Sequence, residues 1–246
     1  MNHKIKYLAA PLCVILSLAA ACGKSDGIGA GSGGVSLPTG GGGGTTSGGA
    51  TTAAVISEND KPLDVMTKAM RAQFDARSYR AQVTSSTADG TTNKMLIEYA
   101  APDRYRMTGE GQTGGAGKAF KMEYVIVGGA TYIKTPEGGW VKTPVDGGEM
   151  IKAFRDPKML DELAKTADVK LVGADTLDGA PMLVYQYTQN NPMGMKLKSA
   201  AKTWLSVADG LPRKTETEGE FNGTKSKTLI TMFDYNADIK IDAPLK

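Results

Sequence analysis

The chain has 246 residues, with 29 Lys and Arg against 26 Asp and Glu, for a formal net charge of +3. So even a balance offers no basic stripe, which argues against a nucleic-acid partner. One histidine and two cysteines leave little material for metal sites, disulfides or imidazole-based catalysis.

The N-terminus opens with Lys4 and Lys6, then an apolar run from Tyr7 to Ala21, then Cys22. A charged start, an apolar middle and small residues before a cut describe a signal peptide, here residues 1–21. Leu18-Ala19-Ala20-Ala21-Cys22 resembles the bacterial lipobox, with Ala19 where Leu is commoner. The resemblance implies cleavage before Cys22, a diacylglyceryl group on its thiol, and an acylated new N-terminus that anchors the protein to a membrane. A plain signal peptide or an uncleaved helix is the alternative, although the run is short for a ~20-residue span. Gly23 stands where an Asp would favour inner-membrane retention in Gram-negative sorting, so a membrane-anchored place in the cell envelope is expected, with the outer membrane favoured and the domain facing the periplasm or the exterior. Cleavage discards His3 and Cys13. Serine and cysteine nucleophiles then lack an imidazole base, and His- or Cys-ligated zinc and haem lose their ligands. No catalytic residue, metal site or cofactor is expected.

Residues 22–57 follow as the lipidated Cys and a tether, with 13 of the 31 glycines between residues 23 and 57. Such a segment cannot bury enough apolar surface to order itself. Residues 58–246 form one domain of near-neutral charge. It begins with a helix over 61–77, where Leu63, Met66, Met70 and Phe74 recur at spacings of three and four, Asp60 as cap and Pro62 in the first turn. From Tyr79 the period becomes two, in about eleven runs rich in Val, Ile, Thr, Tyr and Phe. Asp89-Gly90, Gly128-Gly129, Asp178-Gly179, Asp209-Gly210 and Asn222-Gly223 separate them as hairpin turns. Residues 147–166 interrupt the strands as two short helices split at Asp156-Pro157. The class is α+β, mainly β, with an antiparallel meander of about eleven strands.

The order helix, meander, helical insert, meander resembles the LolA/LolB lipoprotein-carrier superfamily, and its lipid-anchored LppX/LprG-type members in particular. The C-terminal half carries most of the likeness: a Gly-linked hairpin, the Trp204 strand, Asp209-Gly210-Leu211-Pro212, and a last strand leading to Asp234-Tyr235-Asn236. The resemblance implies a strongly curved sheet forming a half-barrel around helices, with an apolar interior that binds or shuttles lipid or acylated ligands without catalysis. Tyr105, Met107, Met122, Tyr124, Met182, Val184 and Met232 are the candidate cavity lining. Eleven methionines remain after processing, and methionine suits surfaces that accept varied apolar shapes, though ordinary core filling predicts the same residues. Ile151, Phe154 and Leu160 in the insert, with Met193 and Met195 in the 190–198 loop, are the lid candidates. The same fold also admits a sensor or scaffold that binds an envelope protein partner and carries no lipid.

Three tempting motifs fail on context. Gly109–Gly114 spells GxGxxG but leads into further glycines instead of a helix, and reads as a hairpin loop. Ser199–Lys202 spells SxxK but runs into a strand. Glu216, Glu218 and Glu220 alternate on one strand face, as a solvated outer face predicts. Arg104 and Arg106 share a face opposite Tyr105 and Met107, and fit either a lipid phosphate at a rim or an ordinary exposed face. The lipobox is tested directly: Cys22→Ser is expected to abolish lipidation and membrane retention, read by fractionation and detergent partitioning. Normal retention would contradict it.

Overall fold

The computed structural model describes residues 56–114, 117, 119–156, 158, 167–190, 197–221 and 223–245. The expected signal peptide, Cys22 and nearly all of the tether lie outside the described residues. Among the described residues no helix is long and apolar enough to cross a membrane.

Helix α1 runs Pro62–Asp75, with Pro62 in its first turn. It buries Val65, Met66 and Ala69, spaced for one helical stripe, whereas Leu63 is 36% exposed. The cap differs from expectation. Lys61 holds the N-cap position without a side-chain hydrogen bond, and Asp60 Oδ2 instead accepts from the Ser57 backbone N–H at 2.9 Å. Asp60 closes a local turn ahead of the helix.

Eleven strands follow: β1 Ser78–Thr87, β2 Thr92–Ala100, β3 Arg104–Gln112, β4 Ala119–Val127, β5 Ala130–Lys134, β6 Trp140–Asp146, β7 Asp168–Leu177, β8 Ala180–Asn190, β9 Leu197–Ser206, β10 Pro212–Phe221 and β11 Thr224–Phe233. They form one sheet in the order β6-β5-β4-β3-β2-β1-β11-β10-β9-β8-β7. Hairpins join neighbours on each side, and the antiparallel β1–β11 ladder, Arg80↔Phe233 through Thr87↔Ser226, unites the two meanders. The sheet does not close. It is a half-barrel with β6 and β7 as its edge strands, wrapped around its helices.

Strand β3 is longer than the turn signals suggested, because Gly109 and Gly111 belong to it and not to a loop. A Cβ on Gly109 would sit 2.8 Å from Met95 Cγ, and one on Gly111 2.4 Å from the Thr92 carbonyl oxygen. These glycines serve close packing inside a strand.

Helix α2, Gly147–Phe154, is capped by Asp146, whose carboxylate accepts from the Gly148 and Glu149 backbone N–H groups. Its first residue is wedged against the sheet. A Cβ on Gly147 would lie 2.6 Å from Thr131 Oγ1 and 2.7 Å from Ile126 Cγ2.

Period-two alternation divides the sheet into two faces. On the inner face, Ile56, Val65, Met66 and Ala69 pack with Leu183, Tyr185, Tyr187, Ala201 and Leu205. Beside them Ala81, Val83, Met95, Ile97, Met107, Ile230 and Met232 form a second cluster. On the outer face the chain beyond β11 turns back through Asp234 and Asn236, both at positive φ. It then lays Ile239 and Ile241 on Ala100, Val125 and Tyr132. Ser78 Oγ donates to the Ala237 carbonyl at 2.5 Å, and Arg104 Nη1 donates to the Ile241 carbonyl at 2.5 Å. Each fully buried aliphatic side chain contributes roughly 1.5–3 kcal/mol.

Among the described residues the buried Tyr185 hydroxyl has no hydrogen-bond partner. Tyr185→Phe is therefore expected to hold or raise stability, by up to about 1 kcal/mol, in thermal melts. A loss beyond about 1 kcal/mol would show that the hydroxyl is bonded. Asp146→Ala should remove about 1 kcal/mol of local support from α2. Hydrogen exchange should then speed within 147–154 while the strand amides stay protected.

Candidate functional site

Cross-strand register arranges the inner face in rows. The first is Tyr79–Tyr99–Tyr105–Ile126–Thr131. The second is Met232–Ala81–Ile97–Met107–Tyr124–Ile133. The third runs from Tyr185 through Thr203, Thr215, Ile230, Val83, Met95 and Gly109 to Met122. The fourth turns polar at its centre, with Thr217, Thr228, Ser85 and Asn93 in succession. Thr203 and Thr215 hydroxyls lie 3.1 Å apart, and Asn93 Nδ2 donates to Ser85 Oγ at 3.4 Å.

The helices cover this face unevenly. Helix α1 sits on the β7–β10 side. Helix α2 meets the sheet on β4 and β5. Among the described residues, the cluster of the second and third rows contains only strand residues and Tyr235 beyond β11. Burial raises the hydroxyl pKa of Tyr79, and raises those of Tyr105 and Tyr235 well above the ordinary range. All three nonetheless stay half-buried and not fully buried.

Five of the seven candidate lining residues share this face. Tyr105, Met107, Met122, Tyr124 and Met232 all belong to the second cluster or pack against it. Met182 and Val184 do not. They lie on the outer face with Trp204 and Leu177, because Leu183, Tyr185 and Tyr187 are the β8 positions that face α1. The Trp204 indole N–H donates to Asp175 at 2.7 Å, and the Lys214 ammonium stands 4.3 Å from the Trp204 ring centroid. Of the lid candidates, Ile151 is buried in α2 and Phe154 is the last residue of that helix. Leu160, Met193 and Met195 lie outside the described residues.

Arg104 and Arg106 point outward and are engaged. Arg104 reaches the Ile241 carbonyl, and Arg106 Nη1 pairs with Glu98 at 3.4 Å. Glu216 and Glu218 form surface ion pairs with Lys214 and Lys227. Ser199 is buried on the inner side of β9 while Lys202 is exposed on the other, so the SxxK pair cannot cooperate. Among the described residues no cluster of His, Cys, Asp or Glu could hold a metal ion. Cavities of about 660, 650 and 700 Å³ open on the outer face among charged side chains such as Lys94, Glu110, Lys121 and Glu218.

Residue-level reading of the sequence missed the contacts of Arg155, which follows α2. Its guanidinium stands 4.4 Å from the Tyr99 ring centroid and 5.8 Å from that of Phe74. It also missed Tyr79, stacked 5.3 Å from Tyr99 and 6.0 Å from Tyr235. The alternation of β1 and β2 placed both tyrosines inward, and that was the available signal.

No protein-family model matches the chain, and no curated protein does. Solved structures do. LprF from Mycobacterium bovis is similar at TM-score 0.52 and 12% identity, over 74% of this chain and 96% of that one. The Mycobacterium tuberculosis lipoprotein LppX is similar at TM-score 0.52 and 12% identity, over 73% of this chain and 97% of that one. A LolA superfamily protein from Nitrosomonas europaea, at TM-score 0.29 and 9% identity over 72% of this chain and 92% of its own, is too distant to argue from. Identities this low speak to fold alone. The chain has the fold seen in LprF and LppX, an open, curved antiparallel half-barrel.

Proposed function

We propose that this chain is a non-catalytic lipoprotein of the cell envelope, anchored through Cys22, whose half-barrel binds or shuttles a lipid or acylated ligand on its inner face. The observation that carries the reading is the strand-built apolar cluster of Ala81, Val83, Met95, Ile97, Met107, Ile230 and Met232, with Tyr105, Met122 and Tyr124 packed against it and no described helix residue within it. An acyl chain satisfies such a surface, since each buried methylene contributes about 0.8 kcal/mol. The lipoprotein fold and the lipobox before the tether support the same reading. Helix α2 lies at one end of this face, which suits Ile151 and Phe154 to a lid.

Displacement of a fluorescent fatty-acid probe from the full chain carrying Cys22→Ser tests this. Met122→Asp places a carboxylate on the apolar rows and is expected to weaken the probe about tenfold or more. Leu229→Asp, on the outer face and 39% exposed in the parent, should leave binding unchanged. Equal binding in folded Met122→Asp protein, or no binding by the parent, would overturn the reading and favour a scaffold with a filled interior.

A further inference from the structure

One end of the inner face carries more polar groups than an acyl chain needs. Tyr79, Tyr99 and Tyr105 are successive cross-strand partners, and Tyr235 closes on Tyr79 from beyond β11. Burial raises all four hydroxyl pKa values, so at neutral pH each is a protonated donor. A hydroxyl away from water needs a partner. Tyr99 is buried, 2% exposed, with its hydroxyl donating to the Pro102 carbonyl at 3.4 Å and hydrogen-bonded to Arg155, while Tyr79 is half-buried with Gln73 of α1 within hydrogen-bond reach.

Arg155 brings a cation to this row. Among the described residues it stands over the faces of Tyr99 and Phe74 and pairs with no carboxylate. Aromatic stacking uses the flat faces of a guanidinium and leaves its N–H edge for other acceptors. Its charge favours the ionised form of both the Tyr79 and Tyr99 hydroxyls, which sets the cation close to each. Asp103, the carboxylate that Tyr99 also senses, lies in the β2–β3 turn. The row thus gathers a guanidinium edge, tyrosine O–H groups and an amide at the end of an apolar trough. All of these can donate.

We infer that this end is a headgroup subsite, where Arg155, held over the buried Tyr99, and the hydroxyl of Tyr79 hold the anionic group, a carboxylate or a phosphate, of an acylated ligand. The inference rests on the carrier reading above. The acyl chain then lies along Ile97, Met107 and Tyr124, the row adjoining the tyrosines. Hydrogen bonds between a charged donor and a charged acceptor are roughly twice as strong as neutral ones, so the subsite makes the carrier selective for anionic over neutral amphiphiles of equal chain length.

The test compares oleate, oleoyl lysophosphatidate, oleyl alcohol and inorganic phosphate as competitors of the fluorescent probe on the full chain carrying Cys22→Ser. The parent is expected to bind at least one anionic lipid about tenfold or more tighter than the alcohol, and the stronger of the two identifies the headgroup. Arg155→Gln should erase that preference while leaving the alcohol within about twofold, and Arg155→Lys should keep part of it. Equal affinity of the parent for charged and neutral lipids would overturn the subsite and leave the carrier reading standing. An Arg155→Gln loss that is as large for the alcohol would also overturn it, and would make Arg155 a fastener of α2. Competition by phosphate alone equal to that of lysophosphatidate would detach the site from acyl ligands. If no lipid binds at all, the carrier reading and the subsite fall together.

Discussion

The ladder between β1 and β11 is the constraint on which the rest depends. It pairs residues from opposite ends of the domain, with Ala81 against Met232 and Val83 against Ile230. Without it the chain would be two separate meanders, each with a half-exposed apolar face. With it, every inner row runs continuously from one meander to the other. A one-residue slip at this ladder would turn Met232 and Ile230 outward and bring Thr231 and Leu229 in. The apolar outer strap of Ile239 and Ile241, fastened by Ser78 and Arg104, covers the outer side of β2, β4 and β5.

An open sheet of this length has more inner surface than one helix can cover. Helix α1 shields the β7–β10 side, and the β1–β4 side presents methionine, tyrosine and isoleucine rows. Sulfur-bearing and aromatic side chains adapt their shape at little strain. Gly109 of β3 has a related effect, because its missing Cβ lets Met95 and Met122 approach across the strand. The outer face follows the opposite logic. Its cross-strand partners are ion pairs such as Glu98 with Arg80 and Arg106, or Glu123 with Lys134. Glu98 is half-buried between its two arginines, whereas more open pairs such as Glu123 with Lys134 contribute little each and keep that side in water.

Most of the architecture was legible because strands and turns announce themselves locally. Alternation marked the runs, and Asp-Gly or Gly-Gly pairs marked the reversals. What failed did so where local pattern is ambiguous. Met182-Leu183-Val184-Tyr185 is apolar on both faces, so alternation could not say which parity met α1, and a preference for methionine chose the wrong one. The Gly109–Gly114 run reads as a loop until Met95 and Met122 are seen to need the space. Asp60 looks like a helix cap, yet its carboxylate is taken by Ser57. The tyrosine row with Arg155 was illegible for a different reason. It draws on α1, β1, β2, the segment after α2 and the turn after β11, and only the β1–β11 register brings these together.

The proposed function requires an inner face occupied by an acyl chain. Native mass spectrometry of the lipidated protein, released gently from its own membrane, tests this most directly. The predicted spectrum shows the mature chain, cut before Cys22, with an added non-covalent mass that collisional activation removes and that fragments as an acylated, anionic lipid. A protein that appears only at its own covalent mass under conditions that preserve weak complexes would contradict the account.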